Sequence, residues 1–565
     1  MQKLFSKTQF LTTVFILFGI SILHAEIILN NDLLTGPSYH LSCNQGVIKG
    51  NNLYFSFHRL SLNQNEEIII DHCPEISNIF IWLTEETIWF NGLLKSNIQD
   101  ANIYLVNSKG MMFGEMASID SKGSVYCSTA DYIHFENGDR FYSSHQQDEK
   151  FPGGSPTYFG FLENDPPSIT FENDRNMLLE EVITGLKSLT GISGSISYKL
   201  SMKDILQIIN QSKMDSFTDD QYFFDNPEES ITIISGHIRV NSKISVNGNF
   251  KIVSLKSKGE VSLGLNTLPD PGNVTFLPSS EIHINGNMEI IGDAVDFMNA
   301  TIYTNGIDDK QLGTVDIQAK SIISFRNNSG IITDDLNDKA CSSITLDAVD
   351  SITLSGQSYI ACTNSTNVNN SLSIHSGDAV SIKEGSMINL STPEGSDSSS
   401  YSGFSSISIR GTDIILEGAN FLDKPRPKPP RPIIGWPIIG SIDSSISTST
   451  CSSTGHHGSI SLIAKNVVLE HSSIFISEEA YFFDKPISKP IIDSIDPGHG
   501  SITITAGDLD LEHGSIISSS TLGQGQGAEI NINALDNTIS ISNDTELIKV
   551  DQIVENMITP TINSD

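Results

Sequence analysis

The feature that most constrains this chain is a repeat in its carboxy-terminal half. The stretches GTVDIQAKSIISFRNNSGI (313–331), SSITLDAVDSITLSGQSYI (342–360), NSLSIHSGDAVSIKEGSMI (370–388), SSISIRGTDIILEGANF (405–421), GSISLIAKNVVLEHSSIFI (458–476), GSITITAGDLDLEHGSII (500–517) and AEININALDNTISISNDTELI (528–548) share one layout. Each has an apolar–polar–apolar run, a polar step, a second such run, a turn and a third apolar anchor. The first anchors, Val315, Ile344, Leu372, Ile407, Ile460, Ile502 and Ile530, are 29, 28, 35, 53, 42 and 28 residues apart, so the unit is about 28 residues and the wider gaps hold insertions. Strands this short cannot bury their inward residues alone, and they do so only when coils stack. The expected fold is all-β, a right-handed parallel β-helix (solenoid), the hand following the general preference of parallel β connections.

Composition agrees with that class. Only 38% of the 565 residues are hydrophobic, and the balance of Ser, Asn, Gly and Ile suits a β-rich exported chain. A formal charge of −34 argues against nucleic acid or anionic membrane as partner, since both would be repelled. Residues 1–25 read as a signal peptide: Lys3 and Lys7 precede an apolar run from Phe10 to Leu23, and Ala25 precedes the cut. Six cysteines show no CxxC spacing, so no zinc site is expected. In an oxidising compartment Cys43–Cys73 and Cys341–Cys362 are candidate pairs, with buried unpaired thiols as the other reading.

Residues 26–165 read as a continuous β unit. Leu53, Phe55 and Phe57, then Ile68 and Ile70, then Ile79–Trp82 and Ile88–Phe90 alternate in short runs. The stretch from Ala101 to Ser143 continues them, with Lys109-Gly110, Gly114 and Gly123 as turn signals. The elements GNNLYFSF (50–57), NGLLKS (91–96), ANIYLVNSKGMMFGEMASID (101–120), GSVYCSTADYIHFENG (123–138) and YFGFL (158–162) resemble, in order, the amino-terminal secretion domain of the filamentous-haemagglutinin family, the exoproteins of two-partner secretion. Two turns depart from the family pattern. Its Asn-Pro-Asn-Gly is Asn107-Ser108-Lys109-Gly110 here, and its Arg-x-Thr-Gly-Gly is replaced by Leu83-Thr84-Glu85-Glu86. The resemblance implies Asn51, Phe55, Asn107, Gly110, Phe113 and Gly114 as the secretion motif. It also implies an outer-membrane β-barrel transporter as partner and export through the periplasm of a Gram-negative bacterium.

Residues 166–230 are expected to form a partly helical insertion. Leu178, Leu179, Val182, Ile183, Leu186 and Leu189 recur at helical spacing, and Ser201-x-x-Asp204 precedes a second apolar run. Residues 231–550 are assigned to β-helix repeats and 551–565 to a polar tail. Pro-rich loops fall near 423–440 and 483–497, and their shared Phe-x-x-Lys-Pro-like starts suggest that both leave one edge of the coil.

Neither HExxH, GxSxG nor a P-loop is present, so no enzyme, cofactor or metal site is expected. The alternative is a β-helix carbohydrate-active enzyme. Glu470-His471 and Glu512-His513 occupy the same repeat position, and stacking would set them about 4.8 Å apart as an acid–base column. The leading reading is a secreted or surface-held adhesin, haemagglutinin-like, whose ligand is a host or neighbouring-cell glycan or protein.

Overall fold

The computed structural model describes residues 27–541 apart from 30–31, 35, 84–85, 144–150, 173–221, 265–267, 279, 306–312, 334–340, 364–369, 393–404, 419–443, 451–457, 478–499, 513–514 and 521–528. Gly313–Arg326 shows how one coil is made. Its alternation buries Val315, Ile317, Ala319, Ile323 and Phe325 and leaves Asp316, Gln318 and Lys320 on the other side. The first half of this strand pairs in parallel with Cys341–Ala348 and the second half with Ser351–Leu354, so one strand turns a corner between two faces. Gly330–Thr333 then pairs with Tyr359–Thr363 on a third face. The chain thus winds as a parallel β-helix with three faces around one apolar core.

That winding is continuous through the described residues. The first face runs from Asn52–Leu62 through Asn78–Leu83, Asn102–Val106 and Val125–Ser128 to Glu529–Ile541. The second passes through Ile88–Phe90, Met111–Phe113, Ile169–Glu172 and Ile238–Asn241. The third begins with Ser38–Leu41 and continues through Glu67–Ile70, Leu93–Ser96 and Ser118–Asp120. Each of the seven repeat anchors is the register partner of the next. Because partners lie one strand spacing apart, like side chains stack. Phe276, Phe297 and Phe325 form a column with centroids 4.5 Å apart and rings 2° from parallel.

A buried serine marks the corner before the third face. Ser280, Ser329, Ser358, Ser386, Ser444 and Ser472 are each at most 2% exposed. Their hydroxyls bond turn carbonyls: Ser329 donates to Arg326 O (2.6 Å), Ser358 to Ser355 O (2.6 Å) and Ser444 to Glu417 O (2.7 Å). They also link coils, as when Ser358 N–H donates to Ser386 Oγ at 3.1 Å. Left-handed residues often come just before these serines: Asn328 and Gln357, both at φ 63°, and His471 at φ 46°.

Among the described residues no coil precedes the first one, whose outer edge is covered in other ways. Ile27–Leu29 and Val47–Lys49 run antiparallel to Asn52–Leu62. A disulfide joins Cys43 to Cys73, just beyond the paired strands Ser38–Leu41 and Glu67–Ile70, with Cα atoms 6.1 Å apart. A separate four-stranded antiparallel sheet, in the order Arg140–Tyr142, Tyr132–Phe135, Pro156–Phe161, Gly259–Ser262, packs its apolar side over the outside of the first face.

The edge expected for the two Pro-rich loops is corrected by the strands that flank them. Residues 419–443 follow Asp413–Glu417 on the second face and precede Ser444–Thr450 on the third. Residues 478–499 follow Ser472–Ser477 on the third face and precede Ser501–Glu512 on the first. The loops therefore leave different corners, because the corner is set by the preceding strand's face and loop composition carries no record of it. The signal peptide, both expected helices, the Pro-rich segments and the tail lie outside the described residues. Ile169–Glu172, within the 166–230 span expected to be a partly helical insertion, and Phe224–Ser235, which begins in it, are strands of the solenoid. Cys362 is buried, while the side chain of Cys341 lies outside what is described.

Candidate secretion interface

The turn Asn107-Ser108-Lys109-Gly110 carries the chain from Asn102–Val106 on the first face to Met111–Phe113 on the second. Asn107 is fully buried and holds the turn from inside. Its Nδ2 donates to Glu86 O (2.8 Å) and Gly110 O (2.9 Å), and its Oδ1 accepts from Lys109 N–H (3.0 Å). Gly110, at φ 102°, adopts a backbone that side chains disfavour. One amide side chain therefore satisfies three main-chain groups across two coils, a task that needs donors and an acceptor on one planar group. Asn107→Ala is expected to cost about 1–3 kcal/mol, read as a lower urea midpoint. Asn107→Asp, which sets a carboxylate against two carbonyls, should be no better; a variant as stable as the parent would remove this role.

Phe113 lies in the core of the second face against Phe90 (5.7 Å), Phe171 (5.1 Å, nearly parallel) and Phe223 (5.2 Å, edge-on). Gly114 is forced by its neighbour: a Cβ there would sit 2.2 Å from Asn91 Oδ1, which accepts from Met116 N–H at 2.8 Å. Phe55 is buried on the first face. Asn51 is exposed, and its carbonyl accepts from Ser77 N–H (2.8 Å). Of the expected motif, Asn107, Gly110, Phe113 and Gly114 share one corner, while Asn51 and Phe55 stand a coil or more away and do not join them.

Two ladders beside this corner escaped the sequence reading. Asn52, Asn78 and Asn102 are register partners on successive coils; Asn78 Nδ2 donates to Asn52 Oδ1 (2.9 Å), and Asn52 Nδ2 donates to Gly154 O (2.8 Å). Tyr54, Phe80, Tyr104 and Tyr126 stack on the same face, with centroids 4.7, 4.8 and 4.9 Å apart. The signal was present as Asn-x-aromatic at 52–54, 78–80 and 102–104, but only coil length makes it a column.

Burial pushes the hydroxyls of Tyr54, Tyr104 and Tyr126 above the ordinary tyrosine value of 10.0. The folded state thus prefers them protonated. Their stabilising contribution is complete below pH 10 and is lost as pH rises past it toward the folded values. Alkaline titration is expected to show tyrosinate absorbance delayed beyond that of free tyrosine and appearing together with loss of structure. Tyrosinate absorbance that rises at the free-tyrosine pH with the fold intact would contradict the buried ladder.

The alternative acid–base column has a structural explanation. Glu470 and Glu512 are register partners, and Glu417 pairs with Glu470 in turn. All three end second-face strands, with Lys383 Nζ 3.4 Å from Glu417 Oε2. His471 is the left-handed corner residue before the buried Ser472, the place that Asn328 and Gln357 take before Ser329 and Ser358. His513 lies outside the described residues. Among the described residues no group of three or more His, Cys, Asp or Glu is placed to hold a metal ion, and no helix is long and apolar enough to cross a membrane.

Residues 34–276 match the family model of the TPS secretion domain. The match ends at Val274–Phe276 and takes in the disulfide, the ladders, the Asn107 corner and the antiparallel sheet. No curated protein matches the chain. Among solved structures, the chain is similar to the HMW1 secretion domain from Haemophilus influenzae at 12% identity, with a TM-score of 0.43, covering 90% of this chain and 98% of that one. A secretion domain of this kind is an export module rather than a catalytic one, and its counterpart is an outer-membrane transporter. Residues 34–276 are therefore a TPS secretion domain.

Proposed function

We propose that this exoprotein is exported by a cognate outer-membrane β-barrel and acts outside as a non-enzymatic adhesin. The observation that carries the reading is the TPS secretion domain placed at the founding end of an uninterrupted stack of coils. A solenoid suits passage through a pore. Each coil that emerges finds the unpaired edge of the one before it and pairs there, so folding advances with export. The Asn107 corner and Phe113, held between earlier and later coils, serve as the recognition region. Outside, the long polar faces supply the adhesive surface, and a net charge of −34 keeps it from nucleic acid and anionic membrane.

The deciding experiment is expression with and without a candidate barrel partner. The chain should reach the medium only with it, and equal release in both cases would end partner-dependent export. Binding of the released chain to cells is the corresponding test of adhesion, and a released chain that binds none would end that reading.

A further inference from the structure

The outward side of the four-stranded antiparallel sheet takes no part in the corner or the core. Two register rows cross it: Tyr142, Tyr132, Gly160 and Glu260 in one, and Arg140, His134, Tyr158 and Ser262 in the other. Alternation along the strands sends Ile133, Phe135, Phe141, Phe159 and Val261 to the apolar side and these residues outward.

Glu260 is the hub. Its Oε1 accepts from the Tyr132 hydroxyl at 2.7 Å and from Arg140 Nη2 at 3.2 Å, and it lies 3.6 Å from His134 Nδ1. The Arg140 guanidinium also sits 4.7 Å over the Tyr132 ring. Tyr132 itself crosses Gly160, where a Cβ would come within 2.0 Å of the ring. Burial, with the bond to Glu260 adding to it, pushes the Tyr132 hydroxyl up to about 12, so it stays a donor. His134 Nδ1 is buried and has no hydrogen-bond partner, although its ring packs 5.7 Å from that of Tyr158.

These groups define a ligand chemistry. Arg140 and Glu260 cancel in charge, which suits an uncharged ligand on an otherwise acidic protein. Hydroxyls both donate and accept, and so satisfy a carboxylate and a guanidinium at once. The half-buried rings of Tyr158 and Tyr142 offer flat apolar faces beside them. We propose that this face binds a neutral sugar ring, with adjacent hydroxyls bridging Glu260 and Arg140 and the ring's C–H face lying on Tyr158. The proposal deepens the adhesion reading and rests on it for its biological use, while placing a sugar site within the secretion domain.

The test uses the full-length secreted chain on immobilised neutral hexose and N-acetylhexosamine glycans, with sialylated glycans alongside, and cell adherence measured on the same preparation. The parent should be retained on neutral sugars. Glu260→Gln and Tyr158→Ala should lose about tenfold or more of that binding, while Tyr158→Phe keeps it and Glu512→Gln, on a distant coil, changes nothing. Unaltered thermal unfolding of the variants assigns the loss to the site. A parent that adheres to cells yet binds no neutral sugar overturns the site and leaves adhesion standing. A parent that binds neutral sugars without adhering to cells supports the site and removes adhesion, and one that does neither removes both. Glu260→Gln and Tyr158→Ala that bind sugar normally but are no longer released into the medium also overturn it, marking the face as a transporter contact.

Discussion

Phe113→Ala is expected to destabilise the chain by about 3–5 kcal/mol, the range for emptying a fully buried aromatic position. Phe113 is 0% exposed and sits between register partners, with Phe90 on the coil before and Phe171 on the coil after. Phe223 closes the site edge-on. Main-chain ladders pin these rings, so the backbone cannot collapse around the lost volume and the cavity persists. Phe113→Leu fills most of the space and should recover a large part of the loss. Urea unfolding of the full chain reads the effect, and release into the medium should fall with it. A Phe113→Ala midpoint equal to the parent's would show that the Phe90–Phe113–Phe171 column does not hold the founding coils.

Replacing Cys43 and Cys73 together by serine is expected to cost about 2–5 kcal/mol. The bridge closes a separation of 30 residues in the unfolded chain and ties the first two strands of the third face together. Among the described residues Ser38–Leu41 pairs only with Glu67–Ile70, so this strand gains most from a covalent link. Hydrogen exchange in Ser38–Leu41 and Glu67–Ile70 should accelerate well before the coils near Phe297 respond. A reductant should reproduce the effect in the parent and leave the double variant unchanged; sensitivity of that variant would place the redox effect on another cysteine. Cys127 is a poor candidate, since burial raises its thiol pKa and keeps it from reacting.

Much of the fold is legible in the residues because a solenoid repeats its own evidence. Val315, Ile344, Leu372, Ile407, Ile460, Ile502 and Ile530 stand out as one position, and each pairs with the next. Alternation is local, and in-register stacking converts it directly into contacts. The Asn107 turn was legible for a related reason: an Asn and a Gly three residues apart between two strands signal a side-chain-capped corner. The partner of that Asn was not. Glu86 O reaches Asn107 from the preceding coil, and nothing in the local pattern around residue 86 marks it.

The Glu-His column illustrates the opposite case. Repeat position correctly brought Glu470 and Glu512 together, yet the same periodicity holds for any corner residue, catalytic or not. The left-handed φ of His471 and the buried Ser472 beside it put this histidine at a corner whose place Asn328 and Gln357 take on other coils. The serine spine was similarly hidden, because Ser280, Ser329, Ser358 and Ser386 look like loop residues until their burial is known.

The sequence by itself determined the coil: its length, its inward residues, its stacking and the secretion module at its founding end. These follow from alternation and period, which act over a few residues and recur. The tertiary structure decided what depends on distant segments meeting, namely which corner each insertion leaves, the Cys43–Cys73 bridge and the antiparallel sheet. Gly259–Ser262 joins Pro156–Phe161 across about a hundred residues of sequence, and no local pattern encodes a pairing whose partners are set by how many coils lie between them.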